Sequence, residues 1–403
     1  LEDNKRTDVG SYGAWIFGEA MFDMPTFPMY NEEGNFFAQG GWSNAIAIAK
    51  EGETSTFKTK SANANLEMIA TLAPSLTMNL QAGLKYDNDN NEDIAKAIPL
   101  YNWDNALQYY TIARSPELSV VNRSTYETVY QNYTGYLNYN KLFGDHNVTA
   151  MVGLSYEREE YSGFGASRDH FLTSNLWTIK LGGTSNMTND GTATHWAIAS
   201  AFSRIGYNYL QKYIFEANLR YDGSSRFAPE NRWYPFYGVS GAWRVSQEDF
   251  MKRQSLFDEL KLRVSYGQTG NQEGIRLYDY IQLLQVGDNT YAFGEGSRSQ
   301  TIRRGVLAGT DRTWEILHNT NIGIDAAALD NRLSMTFDYF WKVNANMLIP
   351  VTYPSMLGAQ APTTNSGTLK THGFELTLGW KDKVGDFGYA VSMQLSDAEN
   401  RVV

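Results

Sequence analysis

Leu76-Thr77-Met78-Asn79-Leu80-Gln81-Ala82-Gly83-Leu84-Lys85-Tyr86 sorts its side chains by parity. Leu76, Met78, Leu80, Ala82, Leu84 and Tyr86 form one set; Thr77, Asn79, Gln81, Gly83 and Lys85 form the other. Successive side chains of a strand point to opposite faces, so this stretch has one apolar and one polar face. Its length is about that of a strand crossing a bilayer at a tilt, longer than the roughly five or six residues usual in globular strands. The stretch ends on an aromatic residue, as strands do where they leave hydrocarbon for water.

The same alternation returns along most of the chain. Leu66, Met68, Ala70 and Leu72 precede it across Ala73-Pro74-Ser75. Tyr133, Gly135, Leu137 and Tyr139 lead into Val148, Ala150, Val152, Leu154 and Tyr156; Ser203, Ile205 and Tyr207 lead into Tyr213, Phe215, Ala217, Leu219 and Tyr221. Tyr237, Val239, Trp243 and Val245 follow, then Leu260, Leu262, Val264 and Tyr266. Ile322, Ile324 and Ala326 turn at Asp330-Asn331 into Leu333, Met335, Phe337, Tyr339 and Trp341. The last pair is Phe374, Leu376, Leu378 and Trp380 with Phe387, Tyr389, Val391, Met393 and Leu395. The reading is all-β: a transmembrane antiparallel β-barrel portion of about fourteen strands. A soluble sandwich, propeller or barrel with one wet face would also alternate. Long strands, and loops of about 40 residues that compact soluble domains seldom contain, tell against it.

Composition supports strands over helices as the spanning element. Mean hydropathy is −0.43 and no apolar run reaches the roughly 18 residues a spanning helix needs, so only a closed barrel could cross lipid. The 26 Tyr and 10 Trp suit a membrane boundary, where ring and polar tip are both satisfied. A net charge of −10 argues against nucleic acid as a partner. Cysteine is absent, which removes disulfides and thiolate metal sites from consideration.

Connections alternate in length. Short turns near 73 to 75, 141 to 146, 208 to 212, 328 to 332 and 381 to 387 alternate with long segments at about 87 to 125, 157 to 195, 222 to 235, 267 to 315 and 343 to 370. Outer-membrane barrels keep short turns in the periplasm and long loops outside the cell. Ser246 to Glu259, with Asp249, Phe250, Met251, Leu256 and Phe257, is expected to hold a short periplasmic helix.

Several phrases carry more than a pattern. Asn218 to Phe227 (NLRYDGSSRF), Trp233 to Arg244 (WYPFYGVSGAWR), Leu260 to Asn271 (LKLRVSYGQTGN), Trp314-Glu315 with Asn321 to Asp325, Asn331-Arg332-Leu333, Asp338-Tyr339 and His372 to Leu376 together resemble SusC/RagA-type TonB-dependent transporters of Bacteroidetes. The resemblance is strong from about 196 to 381 and weak before 60. It implies a twenty-two-stranded barrel in the outer membrane of a Gram-negative bacterium, plugged by an N-terminal domain. It further implies import of oligosaccharides, or of peptides, beneath a SusD-like surface lipoprotein. The TonB-ExbB-ExbD complex would supply the energy, and transporter and lid would assemble as a dimer of pairs. No plug-like segment, TonB box or secretory signal is legible, and no terminal aromatic closes the last strand. Residues 1–403 are therefore expected to be a partial barrel whose plug and C-terminal strands lie in neighbouring sequence.

Parity puts Glu67, Asn79, Gln81, Lys85, Glu216, Asn218, Arg220, Lys261, Arg263, Asp325, Asp338 and Glu375 on the polar face, lining the lumen. Bonding to one another is the favoured role for most of them, over contact with cargo. Substrate contact is expected instead from loop aromatics: Tyr101, Trp103, Tyr109 and Tyr110, then Trp177 and Trp196, then Tyr278, Tyr280, Tyr291 and Phe293, then Tyr353. Aromatic faces stack on sugars while neighbouring Asn, Asp and Arg bond hydroxyls. Girdle positions and loop packing compete for the same residues.

Asp87, Asp89, Asn91 and Asp93 have the oxygen spacing of an acidic calcium loop, but Glu92 occupies the glycine position and no glutamate follows at twelve. A solvated acidic loop is the favoured reading, calcium the other; no further cofactor is expected. His146, His170, His195, His318 and His372 lack metal-ligand spacing. No nucleophile elbow or phosphate loop is present, so an enzyme is not expected. A passive porin or adhesin barrel, and more distantly a soluble glycan-degrading β-protein, are the alternatives.

Overall fold

In the computed structural model the alternating segments pair with their neighbours in sequence. The structure describes residues 2–6, 21, 26–38, 44–52, 54–110, 119–171, 176–254, 256–292, 298–351, 354, 356 and 363–403. Strands β1 (Glu2–Arg6), β2 (Thr54–Ala73) and β3 (Leu76–Ala95) are followed by a small hairpin, β4 (Pro99–Tyr101) and β5 (Leu107–Tyr110). Then come β6 (Val120–Phe143), β7 (His146–Arg168), β8 (Thr188–Tyr209), β9 (Tyr213–Ser224), β10 (Trp233–Arg244) and β11 (Phe257–Asn271). A second small hairpin, β12 (Leu284–Ala292) and β13 (Arg298–Arg304), precedes β14 (Glu315–Ala328), β15 (Leu333–Pro350), β16 (Thr363–Val384) and β17 (Phe387–Val402).

Thirteen of these strands form one sheet in the order β1-β2-β3-β6-β7-β8-β9-β10-β11-β14-β15-β16-β17, and each small hairpin stands as its own two-stranded sheet. Against the expected fourteen, the described residues hold thirteen strands in the main sheet and four in hairpins within long connections. Packing divides the chain into two units: Leu1–Asn65, Gly83–Gln131 and Glu159–His195, and separately Leu66–Ala82, Asn132–Arg158 and Trp196–Val403.

The short turns fall where expected, and their backbones show why they hold. Gly144 and Gly385 sit at φ +60°, a left-handed conformation that costs glycine nothing. The turn after β8 places Leu210 and Gln211 at φ 52° and 56° and closes with Lys212 N–H donating to Tyr209 O at 2.9 Å. Leu329, Asp330 and Asn331 do the same after β14 at φ 59° each. Paired left-handed residues match the right-handed twist of the strands they join.

Registers fix which residues share a face. Ala201, Ser203, Ile205 and Tyr207 of β8 stand opposite Tyr221, Leu219, Ala217 and Phe215 of β9. Tyr237, Val239 and Trp243 of β10 oppose Leu219, Ala217 and Tyr213 of β9, and on the other side Val239 opposes Tyr266 and Trp243 opposes Leu262 of β11. Leu262 and Val264 oppose Ile324 and Ile322, which oppose Phe337 and Tyr339. This apolar row is not buried: Leu66, Leu80, Leu154, Leu219, Val264, Ile322 and Met393 are between 41% and 71% exposed. A water-soluble sheet would bury such a row in a core.

Aromatic side chains bracket the exposed row. Beside the short turns, His146 and Tyr209 lie 4.6 Å apart, Tyr209 and Tyr213 6.4 Å, and Tyr213 and Trp243 6.5 Å. Toward the long loops, Tyr221 stacks on Trp233 at 5.2 Å. Trp233 and Trp243 bound β10. Ten residues at about 3.3 Å each, tilted about 40°, separate the two rings by about 25 Å, the height of a barrel's apolar band.

Three expectations are corrected. The strands are longer than ten residues: β2 and β3 have 20 each, β6 has 24, β7 has 23 and β8 has 22. Much of what read as loop at 87 to 125 and 157 to 195 is therefore strand, because pairing continues after the apolar face ends. Between β10 and β11 the expected short helix is a 3₁₀ turn at Val245–Gln247 followed by turns. A helix, α1 (Ala45–Glu51), instead precedes β2, its start capped by Asn44 accepting from Ala47 N–H at 2.9 Å.

Candidate functional site

The polar face of the main sheet is a set of cross-strand bonds. Arg263 on β11 donates from Nε and Nη2 to both oxygens of Asp325 on β14, at 2.8 and 3.0 Å, and from Nη2 to Asp338 on β15 at 3.1 Å. Lys261 adds a second cation 3.6 Å from Asp325. The guanidinium lies across β14 at Gly323, where a Cβ would meet Arg263 at 2.7 Å and Asp338 Oδ1 at 2.6 Å. Glycine is required there because the planar fork needs the space a side chain would fill. Glu375 of β16 stands opposite Asp338 in register.

Arg220 on β9 makes a second such group. Its Nε donates to Asp222 at 2.7 and 2.8 Å, its Nη2 to Ser200 Oγ at 2.8 Å, and its guanidinium rests 6.0 Å over the Phe202 ring. Gln81 Nε2 donates to Glu67 Oε1 at 3.0 Å across β2 and β3. Of the residues expected on the lumen side, Arg263 bonds Asp325 and Asp338, Gln81 bonds Glu67 and Asn218 bonds Glu216, whereas Arg220 and Lys85 bond carboxylates outside that set. Bidentate pairs of this kind stiffen a wet wall more than they present free groups to a cargo.

The acidic run lies in strand β3, not in a loop. Ser61 Oγ donates to Asp87 at 2.5 Å, Thr59 to Asp89 at 2.7 Å and Ser55 to Asp93 at 2.5 Å, all from β2, while Lys85 pairs with Asp87 at 2.6 Å. An extended strand spaces alternate carboxylates about 7 Å apart, so they cannot converge on one ion as a calcium loop's ligands do. Asn91 points the same way by parity, with its Oδ1 buried and unbonded. Among the described residues no group of three or more His, Asp or Glu is placed to hold a metal.

The loop aromatics divide between the two units: Tyr101, Trp103, Tyr109 and Trp177 belong to the first, Tyr278, Tyr280 and Tyr291 to the second. Tyr101 ends β4, its N–H donating to Phe36 O at 2.8 Å, and Trp103 packs its ring 4.6 Å from Phe37 while 51% exposed. Tyr109 pairs with Leu100 on β5. Trp177 sits 5.4 Å from Phe171. Tyr278 adopts φ +60° in the turn before β12, Tyr280 follows it, and Tyr291 lies opposite Ser299 in the second hairpin. Tyr353 lies outside the described residues.

Sequence parity missed the groups that build the long connections. Phe227, Phe236, Ile275, Trp314 and Ile316 form a buried cluster, with Phe227 and Trp314 rings 4.9 Å apart and Trp314 Nε1 donating to Arg232 O at 3.2 Å. Beside it, Arg312 is buried against Asp279 and donates to Thr363 O at 3.0 Å. In the other unit, Asn31, Asn35 and Asn105 exchange side-chain bonds near 2.9 Å, and Asn44 donates to the Met29 and Phe37 carbonyls. The density of asparagine at 31, 35, 44, 102 and 105 was a usable signal for this knot.

At the short-turn end, Glu248 accepts from Tyr213 OH at 2.6 Å, Trp243 Nε1 at 3.1 Å and Lys212 Nζ at 3.4 Å. The Tyr213 and Trp243 hydrogen bonds hold its carboxyl below the usual glutamate range.

Comparison with known proteins accounts for this two-faced sheet. The model of the TonB dependent receptor-like beta-barrel family matches residues 6–401. TonB-dependent receptor P26 of Formosa agariphila is 28% identical over 96% of this chain and 38% of its own length. TonB-dependent receptor SusC of Bacteroides thetaiotaomicron is 25% identical over 99% of this chain and 41% of its own. The RagAB peptide importer in its closed-closed state superimposes with a TM-score of 0.78 at 26% identity, covering 91% of this chain and 39% of that one. The chain spans about two fifths of the length of these relatives. They are receptors and transporters, β-barrels of the Gram-negative outer membrane rather than enzymes. The exposed apolar row, the bonded polar row and the match from residue 6 to 401 have one explanation: the chain belongs to the TonB-dependent receptor β-barrel family, in its SusC/RagA branch.

Proposed function

We propose that these residues form part of the wall of an importer that carries oligosaccharides across the outer membrane, driven through TonB and covered by a SusD-like lipoprotein. The observation that carries the reading is the sheet's division into an exposed apolar face bracketed by aromatics and a polar face tied by Arg263, Asp325 and Asp338. Such a wall separates lipid from water, and a transporter needs both contacts at once. A plug, further strands and the TonB-contacting segment belong, in this reading, to the larger part of the protein that the relatives' greater length reflects.

Oligosaccharide cargo is supported by the mixture of Trp, Tyr, Asn and Asp in the connections on the loop side, typified by Trp103 beside Asn102 and Asn105. Peptide cargo is the second reading, favoured by the likeness to the RagAB peptide importer. The full-length gene, expressed in a strain lacking its own copy, distinguishes them. Uptake of labelled oligosaccharides that vanishes when TonB is deleted is the expected result. Uptake restricted to labelled peptides replaces the cargo; uptake indifferent to TonB replaces the importer with a passive porin. Glycan hydrolysis by a detergent-free soluble chain would remove the membrane reading altogether.

A further inference from the structure

Past Tyr86, on the first unit's part of the sheet, the polar face carries aromatic rings as well as bonded charges. Tyr126 of β6 and Tyr161 of β7 are half-buried and nearly parallel, their ring centres 6.1 Å apart and their planes 10° from each other. At that separation the rings are offset, so each leaves part of its face uncovered by the other. Tyr126 lies down across β7: a Cβ at Gly163 would stand 2.7 and 2.9 Å from its Cδ1 and Cε1, so glycine is what lets the ring rest against the wall. Beside the rings the wall is bare. A Cβ at Gly165 would meet no non-adjacent atom nearer than 3.7 Å, and one at Gly191 none nearer than 3.6 Å.

Carboxylates flank this aromatic patch. Tyr86 OH donates to Glu127 at 3.1 Å and Asn88 donates to Thr125 at 3.4 Å, so on the opposite face Asp87, between Tyr86 and Asn88, is the neighbour of Tyr126, between Thr125 and Glu127. Thr192 of β8 continues the row, its Cγ2 3.2 Å from a Cβ at Gly163. Ser61, Asp87, Tyr126, Gly163 and Thr192 thus run across five adjacent strands, about 19 Å of wall. Among the described residues of β3, β6, β7 and β8 in this unit, parity puts Asp87, Asp89, Asp93, Glu159 and Asp190 on this face with one cation, Lys85, which pairs with Asp87 at 2.6 Å. Asp87 and Asp89 each take one bond from a β2 hydroxyl, and a carboxylate with about four acceptor sites keeps capacity for more.

We propose that Tyr126 and Tyr161, with Asp87 and Asp89 beside them, form a wall subsite on which a neutral oligosaccharide stacks as it enters the importer. The inference deepens the function proposed above and rests on it for the side from which cargo arrives. Three features select that ligand. Rings lying along the wall offer flat apolar surface to the C–H faces of sugars, while the adjoining carboxylates accept hydroxyl protons. Strands β2, β3, β6, β7 and β8 each have a partner on both sides, so their backbone groups are spent within the sheet and no edge is left for an extended peptide to pair with. The excess of carboxylate over cation repels a uronate or sulfated chain and leaves an uncharged one as the favoured guest. The position agrees: β3 leaves lipid height at Tyr86 and runs on toward the long connections, so the patch lies on the loop side of the apolar band.

The test titrates the full-length transporter, purified in detergent, with neutral hexasaccharides of glucose, xylose, mannose and galactose, with hexagalacturonate, and with a neutral and a basic nonapeptide, reading heat of binding. The expected result is a neutral hexasaccharide bound more tightly than the uronate or either peptide. Tyr126→Ala and Tyr161→Ala should each raise its Kd about threefold to tenfold, the worth of one aromatic contact. Gly163→Ala, which displaces the Tyr126 ring, should act in the same direction, and Tyr126→Phe should retain the affinity. Phe164→Ala, on the opposite face of the same strand, should leave it unchanged. No neutral ligand bound, tighter binding of hexagalacturonate or a peptide, or alanine variants with the wild-type Kd overturns the proposal. A lower Tm for Tyr126→Ala at unchanged Kd also overturns it, since the rings then pack against another segment of the protein. TonB-dependent uptake is measured in parallel: neutral sugar uptake with KM unaltered by Tyr126→Ala sinks the subsite and leaves the importer standing, whereas uptake of peptides alone sinks the cargo reading itself.

Discussion

Strand β3 changes character at Asp87. From Leu76 to Tyr86 one face is apolar and exposed, and the other carries Gln81 bonded to Glu67. From Asp87 onward both faces are polar: Asp87, Asp89 and Asp93 take hydrogen bonds from β2, and on the opposite parity Asn88 donates to Thr125 and Glu127 of β6 while Glu92 pairs with Arg123. Strand β3 itself continues through the change, from Leu76 to Ala95. Hydrophobicity along these strands therefore reports the height of the lipid, and strand structure extends beyond it wherever neighbours can keep pairing.

The largest effect should come from putting charge where the comparison says hydrocarbon lies. Val239→Arg, midway between Trp233 and Trp243, is expected to cost about 2–4 kcal/mol of stability, read by urea unfolding of the full-length protein in lipid vesicles. Asn90→Arg on the polar continuation of β3 should stay within about 0.5 kcal/mol. Equal penalties at both positions would erase the distinction between the two strand regions.

Within the lipid-height region the polar face should also be sensitive, for a different reason. Arg263→Met leaves Asp325 and Asp338 facing each other without their shared cation and should cost about 1–2 kcal/mol after allowing for partial solvent screening. Asp325→Asn in the same protein should restore part of the loss. A cost unchanged by the second substitution would show that packing, not charge, binds these strands. Gly323→Ala should cost about 1 kcal/mol by displacing the guanidinium, and should add nothing once Arg263 is gone.

The smallest effect concerns Glu248 at the short-turn rim. Because its folded carboxyl titrates below the usual glutamate value, the contribution is present above the unfolded pKa and is lost as pH falls through the lower folded one. Hydrogen exchange at residues 246–254 should accelerate relative to the rest of the protein below about pH 4.5. Glu248→Gln should abolish that dependence; a wild-type segment with no acid response would show the Tyr213 and Trp243 contacts to be incidental.

Much of this molecule was legible as a string. Parity along Leu76 to Tyr86 and its repeats located the hairpins, both faces of the sheet and the turns at 73 to 75, 208 to 212 and 328 to 332. That succeeded because strand side chains alternate with a period of two and one face meets a single uniform solvent. The local pattern carried no information where both faces are wet, so Asp87 to Asp93 read as a loop although they lie in strand β3. The pairing of Arg263 with Asp325 and Asp338, 62 and 75 residues away, was likewise beyond a single strand's pattern. Neither Arg312 against Asp279 nor the Tyr126 ring over Gly163 has a local signature. Each depends on which strands become neighbours and in what register, and register is decided by the whole hydrogen-bonded ladder rather than by any one segment of it.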